Sequence, residues 1–270
     1  MTHPSGKVLS AHRLLAAFAS GAVVGTLGGL IGLGGAEFRL PILIGFFRFV
    51  ALEAVILNKA MSLVVVASAL PFRAGTVSWG AIADHWTVIA NLLVGSLIGA
   101  WLGAAWATRL RAQTLFKVIA ILLVAIAAVL LFGHDQTVGG QPPFGGFLLA
   151  VVGAIAGFVI GVVAALLGVA GGELLIPTLV LLFGADVKLA GSLSLAVSLP
   201  TMITAFARYS RDQSFAVLGR SRSFVLVMAA GSIVGTFIGG QLLGVLPSEF
   251  LLPLLAAILM ISAVKIWPHK

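Results

Sequence analysis

The sequence predicts an all-α integral membrane protein, an inverted repeat of two five-element units with eight to ten transmembrane segments and broken helices. Three observations favour this fold. Only 9% of the 270 residues are charged and 60% are hydrophobic, whereas a soluble domain carries about 25% charged residues. Long uncharged runs recur along the chain, and the two halves of the sequence match each other. Such a chain cannot cover a water-facing surface, so its solvent is lipid.

The elements of the first unit follow from the lengths of its apolar runs. Uncharged stretches at residues 14–36, 86–108 and 118–133 are long enough, or nearly so, to cross a bilayer as helices. A fourth helix is predicted at about residues 52–72, with Lys59 near one end, where its long stem could snorkel to the interface. Residues 40–47 are apolar but too short to cross unaided.

The second unit repeats all five elements, with its short one at residues 174–184. A shift of 136 positions aligns the halves without a gap and places Glu37 on Glu173 and Pro41 on Pro177. The shift also aligns glycines: Gly21 with Gly157, Gly25 with Gly161, Gly32 with Gly168, Gly35 with Gly171, Gly95 with Gly231, Gly99 with Gly235 and Gly103 with Gly239. Coincidence cannot easily produce this irregular spacing, so the sequence predicts a duplication into units 1–133 and 134–270.

The distribution of basic residues predicts the orientation. An odd number of elements per unit inserts the second unit upside down relative to the first. With both termini in the cytoplasm, and with Arg39 left out because it sits at a break, thirteen basic residues lie inside, and two, Arg73 and Lys188, lie outside, as the positive-inside rule requires. The segment at residues 109–117 is basic, whereas its counterpart at 245–253 has no basic residue. An inverted repeat explains why the same loop changes sides.

Composition also argues against other functions. There is no Cys, and the five His lie in predicted loops or termini without the spacing of a metal site. No P-loop is present, which leaves existing gradients as the energy source. The basic residues form short clusters between apolar runs, so nucleic acid is not an expected partner. We therefore expect no enzyme activity, no cofactor and no metal; the expected partners are the lipid bilayer and a small solute, with a homo-oligomer left open.

Two glycine-rich segments mark the predicted binding site. Each segment precedes a short apolar element and contains Glu and Pro; the helix-break residues are Gly32, Pro41, Gly168 and Pro177. Glycine permits positive φ, and proline pre-sets the first turn of the next helix. The helix starts after Gly34-Gly35 and Gly171-Gly172 would then point backbone N–H groups at an anion. The alternative is that these glycines only allow close helix packing.

The carboxylates beside the breaks are candidate coupling residues. At membrane depth Glu37 and Glu173 must be paired, hydrated or protonated, so each could take up a proton on one side and release it on the other. Arg39 belongs to the same coupling and gating group. The alternative is structural: Glu37 pairs with Arg39, or both carboxylates accept nearby backbone N–H groups.

The helices after the breaks supply matched polar side chains. Asn58 and Ser62 stand four residues apart, as do Ser194 and Ser198, and the 136-residue shift superposes the two pairs. Residues four apart share a helix face. We expect them, together with Ser192, to face a shared interior and bind the solute. The alternative is that the hydroxyls bond to carbonyls of their own helices.

The segments from Gly32 to Pro41 and from Gly171 to Pro177, followed by residues 190–194, resemble the TauE/SafE sulfite-exporter family. The resemblance covers nearly the whole chain. It implies a carrier for small sulfur-containing or carboxylated anions, such as sulfite, sulfoacetate or thiosulfate, in a bacterial inner membrane. The family pattern more often has Gly or an apolar residue where Glu37 and Glu173 stand here. If both are protonated during transport, this departure favours proton coupling.

Three other functions stay open from the sequence. Broken helices also permit a passive anion channel, which would need a continuous polar path. The two Glu could instead mark a zwitterionic or cationic solute. A membrane-embedded accessory subunit without transport activity would purify with a stoichiometric partner.

Overall fold

The protein is described by a computed structural model that covers residues 11–49, 51–106, 144–167, 169–210, 213–247 and part of 249–260. Within these ranges the chain is all helical and contains no strand. The helices are α1 (Ala11–Ile31), α2 (Ala36–Pro41), α3 (Ala51–Phe72), α4 (Trp79–Asp84), α5 (Trp86–Trp106), α6 (Gly146–Leu167), α7 (Gly172–Phe183), α8 (Val187–Tyr209), α9 (Val217–Arg220) and α10 (Arg222–Val245). A π-helix at Ile42–Phe46 follows α2, and a 3-10 turn at Gln213–Ala216 precedes α9.

Five of the described helices are long and apolar enough to cross a membrane: α1, α5, α6, α8 and α10. At 1.5 Å per residue, each of these helices of 21 to 24 residues is about 30–36 Å long, which matches the hydrocarbon core. Shorter apolar helices occur at Ile56–Phe72 and Gly172–Phe183. The all-α membrane fold is therefore confirmed. The helix expected at residues 118–133 lies outside the described part of the chain.

The two tightest helix pairs each join one half of the chain to the other. α1 packs along α10, and α5 packs along α6. In both pairs a stripe of glycines lies against backbone: an added Cβ on Gly25 would overlap the carbonyl oxygen of Ser232, and one on Gly235 that of Ala22. Small residues allow this close approach, which replaces the hydrophobic effect between helices in lipid.

The contacts in the two pairs correspond under the 136-residue shift. Gly25 meets Ser232, and Gly161 meets Ser96; Gly235 meets Ala22, and Gly99 meets Phe158. The packing interpretation of glycine thus holds for these stripes. The duplication and the inversion of the second unit stay predictions, and the correspondence is what a pseudo-twofold arrangement would produce.

α3 and α8 occupy the interior between the two pairs. α3 packs on α10 and α8, and α8 packs on α5 and α7. The interior is mostly aliphatic, with Leu57, Met61, Leu193 and Val197 almost fully buried. The hydrogen-bonding side chains of α3 and α8 lie where these two helices meet the breaks.

Candidate functional site

The two chain breaks lie against each other. One break separates α1 from α2 and the other separates α6 from α7. An added Cβ on Gly34 would lie 2.6 Å from the Cβ of Ala170, and one on Gly172 would lie 3.0 Å from the carbonyl oxygen of Gly32. Side chains larger than hydrogen would push the segments apart at these positions. The structure therefore brings the two predicted halves of the site into contact.

Glycine conformation starts the helix that follows each break. Gly35, before α2, has φ 68°, and Gly171, before α7, has φ 83°. Both angles are left-handed and favour glycine because it lacks a Cβ. The N–H groups of Leu174 and Leu175 bond to the carbonyl of Gly171, which closes the first turn of α7. The N–H groups ahead of that turn have no intrahelical acceptor, as at any helix start.

The prolines do not have the first-turn position expected from the sequence. Pro177 is the sixth residue of α7, and Pro41 is the last residue of α2, directly before the π-helix. That expectation is wrong, because both helices begin earlier, at the left-handed glycines. Pro177 instead removes one i→i−4 hydrogen bond inside α7. Gly168 and the side chain of Pro41 lie outside the described residues.

Polar groups of α3 hold the first break. The amide Nδ2 of Asn58 donates to the carbonyl oxygen of Ala36 at 3.2 Å, and Nη1 of Arg39 donates to Oγ of Ser62 at 3.1 Å. All three side chains are completely buried. Oδ1 of Asn58 has no hydrogen-bond partner among the described residues. The predicted placement of Asn58 and Ser62 toward the break agrees with these contacts.

Hydroxyls of α8 approach the same break from the other half of the chain. Oγ of Ser194 donates to the carbonyl oxygen of Gly32 at 2.9 Å and is also within 3.0 Å of the carbonyl oxygen of Gly191. Ser198 is buried one turn further on, and within the described part of the chain its Oγ has no hydrogen-bond partner. Ser192 is engaged elsewhere, because its Oγ accepts from Nε of Arg73 at 3.0 Å.

Three charged side chains are buried with this polar group: Arg39 is 0%, Lys59 2% and Glu173 4% exposed. The snorkelling predicted for Lys59 is wrong, since a side chain reaching the interface would be exposed. Lys59 lies one turn before Ser62 on α3. Its position between Asn58 and Ser62 was the signal in the sequence that could have placed it beside the break. Glu37 lies in the first turn of α2, but its side chain is outside the described set.

The buried cations beside the breaks come from the first half of the chain. Under the 136-residue shift, Arg39 corresponds to Leu175 and Lys59 to Leu195. The second half contributes the longer helix after its break, α7, and the hydroxyls of Ser194 and Ser198. The two halves therefore differ chemically: the first supplies the buried cations, and the second supplies neutral hydroxyls and the carboxyl group of Glu173.

Apart from the carboxyl group of Glu173, this set of groups suits an oxyanion. A guanidinium, an ammonium, hydroxyls and the N-terminal end of a helix all interact favourably with negatively charged oxygen. No group of three His, Asp or Glu side chains that could hold a metal occurs in the described ranges.

Comparison with known proteins identifies a family. The model of the family described as sulfite exporter TauE/SafE matches residues 15–266. No curated protein and no solved structure matches the chain.

Proposed function

Because the chain belongs to the TauE/SafE sulfite exporter family, we propose that it is a secondary carrier of a small sulfur-containing or carboxylated oxyanion. Family membership makes it a multi-pass membrane transport protein for sulfur anions. Sulfite, sulfoacetate and thiosulfate are the candidate solutes. The main support for this binding site is the contact between the two breaks, beside the buried Arg39–Ser62 hydrogen bond.

The anion would be bound from both halves of the chain. Arg39, Asn58 and Ser62 would contact it from the first half. Ser194 and Ser198 would contact it from the second half, where Oγ of Ser194 already donates to the carbonyl oxygen of Gly32 in the first break. The N–H groups that follow Gly34, Gly35, Gly171 and Gly172 would add neutral donors. Oδ1 of Asn58 is an acceptor, so it would suit a protonated oxygen or a bound water.

A carrier fits the packing of the breaks better than an open pore does. Gly34 lies against Ala170 and Gly172 lies against Gly32, so a solute can pass only if these segments separate. Movement of one half against the other around a fixed site is the general mechanism of repeat-built carriers. Saturable counterflow that depends on solute on the opposite side would support the carrier, and unsaturable flux would support the channel.

The first experiment is ligand-induced thermal stabilisation of the purified protein with sulfite, thiosulfate, sulfoacetate, lactate, taurine and simple cations. A ligand that binds only the folded state at a hundred times its Kd stabilises it by about 2.7 kcal/mol. We expect one or more of the sulfur oxyanions to raise Tm and taurine to have little effect. Stabilisation by taurine or cations alone would contradict the oxyanion assignment.

We also propose that the carboxyl groups of Glu173 and Glu37 couple transport to the movement of protons. Glu173 is 4% exposed and lies in the first turn of α7, directly after the break. A carboxylate that faces the solute path must be neutral or paired when an anion approaches, because like charges repel across a medium of low dielectric. Glu37, its counterpart under the 136-residue shift, would act in the same way.

We expect Glu173→Gln to reduce uptake driven by a pH gradient about tenfold or more while solute counterflow persists, since the neutral amide cannot exchange a proton. Uptake into proteoliposomes with and without a pH gradient measures both quantities. Glu53→Gln is the matched control, because Glu53 is paired with Arg220 at the exposed end of α3. Undiminished pH-driven uptake in Glu173→Gln and Glu37→Gln would exclude the coupling role.

The proposed orientation in the membrane follows from the basic residues. Both termini would lie in the cytoplasm and the protein in the inner membrane of a bacterium, as the distribution of basic residues predicts. In that orientation the start of α3 faces the cytoplasm and its end, at Arg73, faces outward.

A further inference from the structure

Arg73 is a buried arginine that the proposed binding site does not use. It follows the last residue of α3 and is 1% exposed. Its guanidinium reaches the end of α1 and the start of α8: Nη1 donates to the carbonyl oxygens of Gly29 at 2.9 Å and Leu30 at 2.8 Å, and Nη2 donates to that of Lys188 at 2.8 Å. Together with the bond from Nε to Ser192, Arg73 forms four hydrogen bonds, two to α1 in its own half of the chain and two to α8 in the other half.

The acceptors of Arg73 are neutral. Three are carbonyl oxygens and one is a hydroxyl, and no carboxylate among the described residues forms an ion pair with it. The last carbonyls of α1 are also the negative end of its dipole, which favours a cation there. Bonds to neutral acceptors can be exchanged for bonds to water more readily than a buried ion pair can be separated, since no opposite charge is left behind. The contact is therefore strong enough to hold and still reversible.

Backbone packing next to Arg73 reinforces the same contact. Gly32, with φ 95°, lies directly on Gly191, and an added Cβ on either glycine would overlap backbone of the other half. A Cβ on Gly191 would also lie 2.5 Å from Nη2 of Arg73. One turn along α8, Ser194 donates to the carbonyl of Gly32. Arg73 thus covers the contact through which α8 reaches the first break.

A contact at the opposite end of α3 is of a different kind. Glu53, near the start of α3, pairs with Arg220 at 2.8 Å, but the Arg220 side chain is 59% exposed. Exposed ion pairs contribute little, because solvent screens them. Of these two connections between α3 and the second half, the one at Arg73 is the stronger.

From these contacts we infer that Arg73 is a positioning residue that closes one side of the solute path by latching α1 and α3 to α8. Opening that side for solute exchange requires its two hydrogen bonds to α8, at Lys188 and Ser192, to exchange for water. The inference rests on the proposed function, since a latch on a solute path presupposes transport. In the proposed orientation the latched side is the outer one.

The absence of cysteine makes the latch directly testable. Ser194→Cys places a single thiol, buried at the first break beyond the latch. We expect a membrane-impermeant thiol reagent added to the outside of intact cells to label the Ser194→Cys variant slowly. Adding Arg73→Gln should raise that rate about tenfold or more by shifting the population toward the open form. Labelling in inside-out vesicles should change much less, a difference between sides that general unfolding would not produce.

Two further variants test the same contact by another route and control for the loss of an arginine. Gly191→Ala separates α8 from the end of α1 by steric overlap, so it should raise outside labelling in the same way with Arg73 intact. Arg208→Gln is the matched control: Arg208 lies over the Trp101 ring at 5.4 Å, away from the latch, and should leave the rate unchanged. If Arg73→Gln elutes as aggregate on gel filtration, Gly191→Ala alone gives the answer.

The outcomes separate the latch from the proposed function. Unchanged outside labelling in folded Arg73→Gln or Gly191→Ala protein would overturn the latch, as would an equal increase from both sides. The labelling experiment uses no solute, so its result is valid whether or not oxyanions stabilise the protein. If no oxyanion raised Tm, the proposed function would be overturned. The slow labelling from outside would then still show that this side of the fold is closed.

Discussion

Arg39→Gln is expected to raise the Kd for the transported oxyanion about thirtyfold, the equivalent of about 2 kcal/mol for one charge-assisted interaction. Arg39 is fully buried, and its Nη1 donates to Ser62, a residue of the helix that faces the first break. Glutamine keeps a hydrogen-bond donor but removes the positive charge and the planar fork that matches an oxyanion. The effect should therefore exceed that of Ser62→Ala.

Isothermal titration or the shift in Tm with ligand concentration measures this loss. Arg39→Lys should recover part of the affinity, since the charge returns without the fork. Arg208→Gln is again the control, because it removes an arginine that contacts an aromatic ring instead of the breaks. An unchanged Kd in folded Arg39→Gln protein would remove Arg39 from the proposed site and place the anion elsewhere.

Gly172→Val is expected to weaken oxyanion binding strongly while leaving the helix pairs assembled. A Cβ on Gly172 would already lie 3.0 Å from the carbonyl oxygen of Gly32 and from Cδ2 of Leu33, and valine adds two methyl groups. The first turn of α7 would then move away from the first break. We expect affinity to fall by about a hundredfold or more, since displacing the N–H groups by about 1 Å breaks their geometry.

Ligand-induced stabilisation in detergent measures the affinity of Gly172→Val, and its elution volume and Tm without ligand report the fold. Gly80→Val is the control glycine substitution: it is also helical, and among the described residues beyond its own helix backbone and chain neighbours, the only atom within 4 Å of an added Cβ is Oγ of Ser78, at 3.8 Å. Folded Gly172→Val protein that binds with wild-type affinity would show that the contact between the breaks is packing alone.

The glycines illustrate how one residue type can have two roles that the sequence does not separate. Gly25, Gly99 and Gly235 lie in helix pairs, where they only let backbones approach. Gly35 and Gly171 have left-handed backbone and start α2 and α7. In the sequence both sets appear as glycines that the 136-residue shift superposes on other glycines. Only the tertiary structure shows which glycines face another helix and which begin one.

The sequence by itself determined the membrane class, the apolar helices and the position of both breaks. These depend on local composition, because a run of about 20 uncharged residues has few alternatives to a helix in lipid. The 136-residue shift also predicted which residues occupy corresponding places. It placed Asn58, Ser62 and Ser194 beside the breaks, and their hydrogen bonds to or near the break segments agree.

The tertiary structure alone decided where the charges lie. Lys59 and Arg73 were expected near the interface or outside it, and both are buried. Their location depends on helices distant in sequence: Arg73 is satisfied by carbonyls more than 40 residues before it and more than 110 residues after it. A long cationic side chain can snorkel to water or reach an internal acceptor, and hydropathy is the same in both cases. The packing of α1 and α8 around the end of α3 selects the internal acceptors.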